Sequence, residues 1–300
     1  MKKLCIVIFF YFFGYAHFVS AEMQNVSFPV PLNEVGERRI VVVIASYNNI
    51  NYFRKNLSSV FDQRYANYHI MYIDDSSTDG TYDAVKNFVA KYRMQEKVTL
   101  IKNEKRCGSL HNQYYAIHQC NPTDLIIILD GDDWLFDNNV FSYINSIYQD
   151  HSIWLTYGQF VQYPNGHRGW CVDIPKDVVM NNGFREFTHV PSHLRTFYAG
   201  LFQKIKKEDL LYNKDFFRMS GDIAAMFPMI EMAREGHFKF IPKILLVYNA
   251  ANPLNNYKVV HGLERTLDLA IRRRKRYDPI KNPFEVEKVG HNTVFEKVVF

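Results

Sequence analysis

Leu125-Ile126-Ile127-Ile128-Leu129-Asp130-Gly131-Asp132-Asp133 decides how this chain is read: five apolar residues run directly into three acids in four. So short and continuous an apolar run predicts a strand buried on both faces, as in a parallel sheet. Three carboxylates at its end repel one another unless a cation or a set of hydrogen-bond donors neutralises them. Hard divalent ions such as Mg2+ or Mn2+ take oxygen ligands and leave positions open for phosphate oxygens. Gly131 lets the chain turn there. A solvated acidic turn is the plainer alternative, but the strand before it is too apolar to end casually in three acids.

Upstream the same arrangement occurs twice. Ile40-Val41-Val42-Val43-Ile44-Ala45 predicts a buried strand and is followed by Ser46-Tyr47-Asn48-Asn49, with turn and N-cap chemistry. Residues 51–63 then place Phe53, Leu57, Val60 and Phe61 at helical spacing. A second strand, His69 to Ile73, ends in Asp74-Asp75-Ser76-Ser77-Thr78-Asp79-Gly80, and a helix over 81–92 turns Tyr82, Val85, Phe88 and Val89 inward. Val98 to Ile101 predicts a strand and Ser109 to Cys120 a helix. Such alternation argues for right-handed βαβ units and an open, mostly parallel α/β sheet with flanking helices. Ligands of such sheets bind beyond the carboxyl ends of the strands, where the clusters 46–49, 74–80 and 130–133 all fall.

Beyond residue 150 the pattern loosens. Ile153 to Val161 and Phe238 to Tyr248 predict strands, Tyr163-Pro164-Asn165-Gly166 a turn, and 191–206 and 222–235 helices. There is no internal repeat and no Pro/Ser-rich linker, so a single domain with a variable second half is expected. Asp222, in Met219-Ser220-Gly221-Asp222, reads either as the N-cap of the following helix or as a carboxylate projecting into a cleft as general base toward a hydroxyl. His167-Arg168-Gly169-Trp170 reads as an ordinary hairpin with a packed Trp, or as an acceptor-side loop whose Trp stacks on a sugar. His189, His193 and Arg195 could reach phosphate, although structural histidines are commoner.

Taken together, Val41-Val42-Val43-Ile44-Ala45-Ser46-Tyr47-Asn48, Ile73-Asp74-Asp75-Ser76-Ser77-Thr78-Asp79-Gly80-Thr81 and Ile128-Leu129-Asp130-Gly131-Asp132-Asp133 resemble glycosyltransferase family 2 on a GT-A fold. The resemblance is ordered and covers about residues 38–136; over 150–250 it is loose. It implies a GT-A domain over 38–250, with a nucleotide-sugar-binding half (38–136), an acceptor half (137–250) and a helical, basic extension (251–300). It also implies inverting transfer of a sugar from a nucleotide diphosphate donor, usually UDP-linked, to a hydroxyl of a glycan or other acceptor. Carried over position by position, Ser46 and Tyr47 line the nucleotide pocket with Tyr47 against the base, and Asp75 contacts the base. Asp130 and Asp132 match the D-x-D pair that meets the ribose and the metal-bridged diphosphate. Asp132 and Asp133 are the expected ligands of Mn2+ or Mg2+, and Asp222 is the general base. The family's usual Glu-Asp before the base helix is Gly221-Asp222 here. The R/Q-x-x-R-W element and the multiple membrane helices of processive synthases are missing, which favours single addition.

Composition agrees. At 47% hydrophobic and 22% charged, 300 residues can bury a sizeable core, which excludes a disordered tail or a disulfide miniprotein. The net charge of +5 equals the run Arg272-Arg273-Arg274-Lys275-Arg276, so the body is not basic and nucleic acid is not an expected partner. That run reads as a solvated helix end, or as a contact for an anionic membrane surface. Lys2-Lys3, the apolar stretch Leu4 to Phe13 and Val19-Ser20-Ala21 resemble a signal peptide over 1–21, or an uncleaved anchor. A secretory or membrane-associated location follows, in tension with the cytosolic origin of nucleotide sugars. Beyond the leader, Cys107, Cys120 and Cys171 allow one bridge and a free thiol, and Asn25 and Asn56 fit Asn-x-Ser. Two alternatives stand beside the transferase. A sugar-nucleotide pyrophosphorylase would need glycines that 46–49 lacks, and a non-catalytic nucleotide or carbohydrate binder could share the same fold.

Overall fold

The computed structural model describes residues 36–189, 191–254, 261–286 and 297–298. The leader and Asn25 lie outside them. Glu37–Phe300 forms one unit. Its elements in chain order are β1 (Ile40–Ser46), α1 (Phe53–Phe61), β2 (Tyr68–Asp74), α2 (Thr81–Lys91), β3 (Val98–Lys102), α3 (Ser109–Ile117), β4 (Leu125–Ile128), β5 (Trp134–Leu135), α4 (Val140–Ile147), β6 (Leu155–Tyr163) and α5 (Lys176–Met180). There follow β7 (Arg195–Tyr198), α6 (Ala199–Gln203), β8 (Leu211–Tyr212), β9 (Asp215–Phe216), α7 (Gly221–Met232), β10 (Phe238–Asn249), a C-terminal helix (His261–Arg272) and β11 (Lys297–Val298).

Among the described residues the main sheet has the order β11-β3-β2-β1-β4-β7-β6-β10-β5. Its heart is parallel, with β1 between β2 and β4. Ser46 lies opposite Asp74, and β4 ends at Ile128 opposite Val43 but its chain continues along β1, the Gly131 amide donating to the Ala45 carbonyl, so the three following loops emerge at one edge. Residues 40–44 and 125–128 are buried throughout, which is why they carry unbroken apolar runs instead of alternation. Helix α1 buries Phe53, Leu57 and Val60, and Phe53 meets Phe88 of α2 edge-on at 5.7 Å. Helix α7 is buried from Ile223 to Met232, and its sequence there is accordingly apolar on every face but for Glu231, which pairs with Arg185.

The sequence expectation of a helix over 191–206 is corrected. Arg195-Thr196-Phe197-Tyr198 forms β7, antiparallel to both β4 and β6, and only Ala199–Gln203 is helical. Leu194, Phe197, Tyr198, Leu201 and Phe202 do recur at helical spacing. Pairing with two buried strands outweighs that local pattern. Helix α4 and strand β5 have no counterpart in the sequence reading.

The described part of the 251–300 extension is built into the domain. Leu267 and Ile271 are buried, each a contribution of about 1.5–3 kcal/mol. The basic run is divided: Arg272 pairs with Asp268 and donates to the carbonyls of Arg185 and Phe187, and Arg274 donates to the Leu211 carbonyl, whereas Arg273, Lys275 and Arg276 are exposed, Arg276 beside an exposed Glu186. Cys107, Cys120 and Cys171 are all free thiols. No helix among the described residues is long and apolar enough to cross a membrane.

Candidate active site

The floor of the site is stitched from the loops that follow β1 and β2. The Asn48 amide donates to Ser77 Oγ, the Thr78 amide to Asn48 Oδ1, the Asn49 amide to Thr81 Oγ1 and the Ile50 amide to Asp79 Oδ2. Ser46 is enclosed, and its hydroxyl oxygen accepts from Tyr72 at 2.8 Å and from Asn49 at 3.0 Å. Its side chain therefore buttresses the strand end from inside. Gly131 passes so close that a Cβ there would lie 2.7 Å from Ser46 Oγ and Asn49 Nδ2. A close approach, not a turn alone, requires glycine at this position.

Asp130, Asp132 and Asp133 follow β4, and their loop is held from outside. Asn56, fully buried on α1, donates through Nδ2 to the carbonyls of Asp130 and Asp133 at 2.9 and 2.8 Å. This asparagine fits an Asn-x-Ser pattern, but burial inside a helix removes it as a glycosylation acceptor. The Asn249 amide, at the end of β10, donates to Asp133 Oδ1 at 2.8 Å, and Asn252 Nδ2 donates to Asp132 Oδ2 at 2.6 Å. Asp133 is fully buried, and its Oδ2 meets no donor among the described residues.

Asp130, Asp133 and His193 bring ligand atoms within 4.8 Å of one another. Burial raises all three carboxyls of the 130–133 loop. Asp132 is pushed up to about 6 by burial and by the Asp130 charge; Asp133 is raised well above the usual range by burial and by its two neighbours. Asp130 is raised by burial and by Asp222, against the opposing pull of Arg195. His193 is driven well below its ordinary value by burial and by Arg195, so its imidazole is neutral with a lone pair to give. An orphaned carboxylate oxygen, a second carboxylate and a neutral imidazole form a donor set that fits a divalent cation. The structure thus groups Asp133 with Asp130 and His193, while Asp132, half-buried, is engaged by Asn252 beside them.

Arg195 joins this cluster to Asp222. It opens β7 opposite Ile128, two residues before Asp130. Its Nη2 lies 3.5 Å from Asp130 Oδ2 and its Nη1 3.5 Å from Asp222 Oδ2. Asp222 is the second residue of α7; the N-cap position is taken by Ser220, in the left-handed region at φ 57°. The capping reading of Asp222 therefore gives way to a carboxylate turned toward the acids at the strand ends, with 38% of its side chain exposed.

Tyr47 and Asp75 stand on the neighbouring strand ends. Asp75 is buried, and its carboxylate accepts from Asn103 Nδ2 and from the amides of Cys107 and Gly108 at 2.8–2.9 Å. It thereby fixes the loop that lays the Arg106 guanidinium 3.9 Å from the Tyr47 ring centre. Residues 167–170 form a hairpin, with Val161 bridged to Arg168, and Trp170 stays 48% exposed, edge-on to Phe160 at 4.9 Å. Phe160 in turn contacts the His193 ring at 5.6 Å. His189 is exposed and pairs with Phe187 and Thr188, away from this cluster's contacts. Sequence reasoning missed Asn56, Asn249, Asn252 and Arg106. Their only sequence signal is polarity, on a helix face, at a strand end and in a loop.

A parallel-centred sheet flanked by helices, with acids and a histidine at its carboxyl edge, is an α/β architecture of GT-A type. The family model for glycosyl transferase family 2 matches residues 41–209, more than half of the chain, and the chain belongs to that family. Among curated proteins it is similar to an uncharacterized glycosyltransferase of Haemophilus influenzae, 25% identical over 121 residues, 40% of this chain and 46% of that one. The chain spans less than half the length of the curated relatives it matches. Among solved structures it resembles S. aureus TarS 1-349 in complex with UDP (TM-score 0.51, 14% identity, 72% of this chain and 61% of that one). It also resembles a mannosyltransferase of Pyrobaculum calidifontis in complex with GDP-Man and Mn2+ (TM-score 0.53, 19% identity, 81% and 68%). At such identity these structures establish the GT-A fold alone.

Proposed function

We propose that this protein transfers a single sugar, with inversion, from a UDP-linked donor to a hydroxyl of a glycan or similar acceptor, assisted by Mn2+ or Mg2+. The observation that carries the reading is Arg195, which holds the acids at the end of β4 and the carboxylate at the start of α7 within reach of one guanidinium. A donor site and a base on opposite sides of one reacting carbon need that proximity. The structural neighbours solved with UDP and with GDP-Man support a nucleoside diphosphate donor.

In this reading Asp130, Asp133 and His193 hold the cation, with Asp132 beside them. A bound divalent ion neutralises charge on the departing diphosphate. Tyr47 walls the base, and Asp75 shapes that wall through the loop 103–108. Asp222 takes the proton of the acceptor hydroxyl as it attacks the anomeric carbon from the face opposite the leaving group. Inversion needs no second nucleophilic carboxylate.

The test is acceptor-dependent release of UDP from a panel of UDP-sugars, with the product anomer read by NMR. An inverted linkage, lost in Asp222→Asn while UDP still binds, is the expected result. A retained anomer would overturn the inverting assignment. Full activity in Asp222→Asn would remove Asp222 as the base, and nucleotide binding without any transfer would favour a non-catalytic binder.

A further inference from the structure

Arg195 contacts more of the candidate cation site than an ordinary neighbour would. Its Nη2 lies 3.5 Å from Asp130 and donates to His193 Nδ1 at 3.4 Å, so it touches two of the three groups in the candidate donor set. The other branch of the same guanidinium lies 3.5 Å from Asp222. Charge-assisted hydrogen bonds close to about 2.7–2.9 Å, so neither carboxylate has captured it. Arg195 is 5% exposed, and its Nε meets no acceptor among the described residues. A buried cation so loosely shared between two acids is poised to move toward either.

Resting on the proposed cation-assisted transfer, we infer that Arg195 is an exchangeable counter-cation that couples the cation site to the base. While no divalent ion is bound, the guanidinium neutralises Asp130 and Asp222 together. With Asp130 and His193 engaged by a cation, like charges a few ångströms apart repel, and Arg195 gives up that side and closes on Asp222. The base carboxylate is thereby oriented only when the donor site is charged. Arg195 is a positioning residue in this scheme, acting through Asp222. Because linkage is reciprocal, the factor by which a bound cation favours closure on Asp222 is also the factor by which that closure tightens the cation.

The experiment is Mn2+ binding to the purified protein without nucleotide, by electron paramagnetic resonance of free Mn2+ or by calorimetry. Arg195→Gln removes the competitor and is expected to tighten Mn2+ on the order of tenfold; Asp222→Asn removes the guanidinium's alternative partner and weakens it by about fivefold or more. The Asp222→Asn effect should fall to about twofold or less in the Arg195→Gln background, because the coupling runs through the arginine. Arg195→Lys is a second background that keeps the charge; its shorter reach cannot reproduce the guanidinium's two-branched approach to Asp130 and Asp222, so it too should shrink the Asp222 dependence. An unchanged or weaker Mn2+ affinity in Arg195→Gln overturns the inference. So does an Asp222→Asn effect that persists in both backgrounds, which would make Asp222 act on the cation directly. A native protein that binds no Mn2+ without nucleotide overturns this inference, and one that binds none with UDP present sinks the cation-assisted reading as well, whereas normal Mn2+ binding with an additive cycle sinks this one alone.

Discussion

Two arginines are buried to nearly the same degree and are used in opposite ways. Arg185, 3% exposed, grips Glu231 with Nε and Nη2 at 2.5 and 2.9 Å and spends Nη1 on the carbonyls of Ile271 and Arg274. Glu231 also accepts from the Tyr277 amide, so this closed network ties α7 to the chain that follows the C-terminal helix. Arg195, 5% exposed, approaches two carboxylates no closer than 3.5 Å and leaves one nitrogen unmatched among the described residues. The difference teaches how one chemistry serves two ends of a domain. A buried ion pair that satisfies every donor holds structure, whereas one kept open stores the means to respond to a ligand.

The predictions press on that contrast. Asp222→Asn, at the open end, should lower turnover by about 10²–10⁴-fold while changing unfolding free energy by no more than about 0.5 kcal/mol, read from UDP release and urea unfolding. Arg185→Met, at the closed end, should do the reverse. It leaves Glu231 buried and uncompensated at a cost of about 3–5 kcal/mol in urea, with nucleotide affinity below the transition unaltered. If Arg185→Met instead weakens nucleotide binding with little loss of stability, the two arginines are not opposites. Gly131→Ala forces a Cβ against Ser46 and Asn49 and should cost about 1–3 kcal/mol, seen as a lower melting temperature together with weaker UDP binding.

The smallest effect is a pH dependence. Asp132 is pushed up to about 6 by burial, so between about pH 4 and pH 6 the folded protein keeps a proton that the unfolded chain has released. Its contribution to stability is full at the acid end and is lost as pH rises through about 6. A bound cation competes with that proton. Mn2+ affinity should therefore rise by about fourfold or more from about pH 5.5 to about pH 7.5, measured by calorimetry, with a shallower profile in Asp132→Asn, where the raised carboxyls of Asp130 and Asp133 still give up protons to the cation.

Much of the fold is legible in the chain because the parallel strands are buried on both faces. Ile40–Ile44 and Leu125–Leu129 can be little else, and the polar loops after them must lie at one sheet edge. Asp222 is legible only as a choice between cap and base, since both need an acid at a helix start. Arg195 is legible only as a residue that could reach phosphate; its place beside the acids is hidden, because the apolar residues around it repeat at helical spacing and only pairing between β4 and β6 makes them a strand. Asn56 was hidden for another reason. A polar residue on a helix reads as solvated, and what it supports, two carbonyls of a loop 74 and 77 residues later, is a tertiary fact.

The central claim is that the acids beyond β4 form a cation-dependent nucleotide site. Its most direct test is the melting temperature of the purified protein with UDP, with Mn2+, and with both. A ligand that binds only the folded state raises the midpoint by mass action. The account predicts a clear rise with UDP and Mn2+ together, a much smaller one with either alone, and loss of the combined effect in Asp130→Asn. A well-folded protein whose midpoint does not move with UDP or any other nucleotide in the presence of Mn2+ would contradict it.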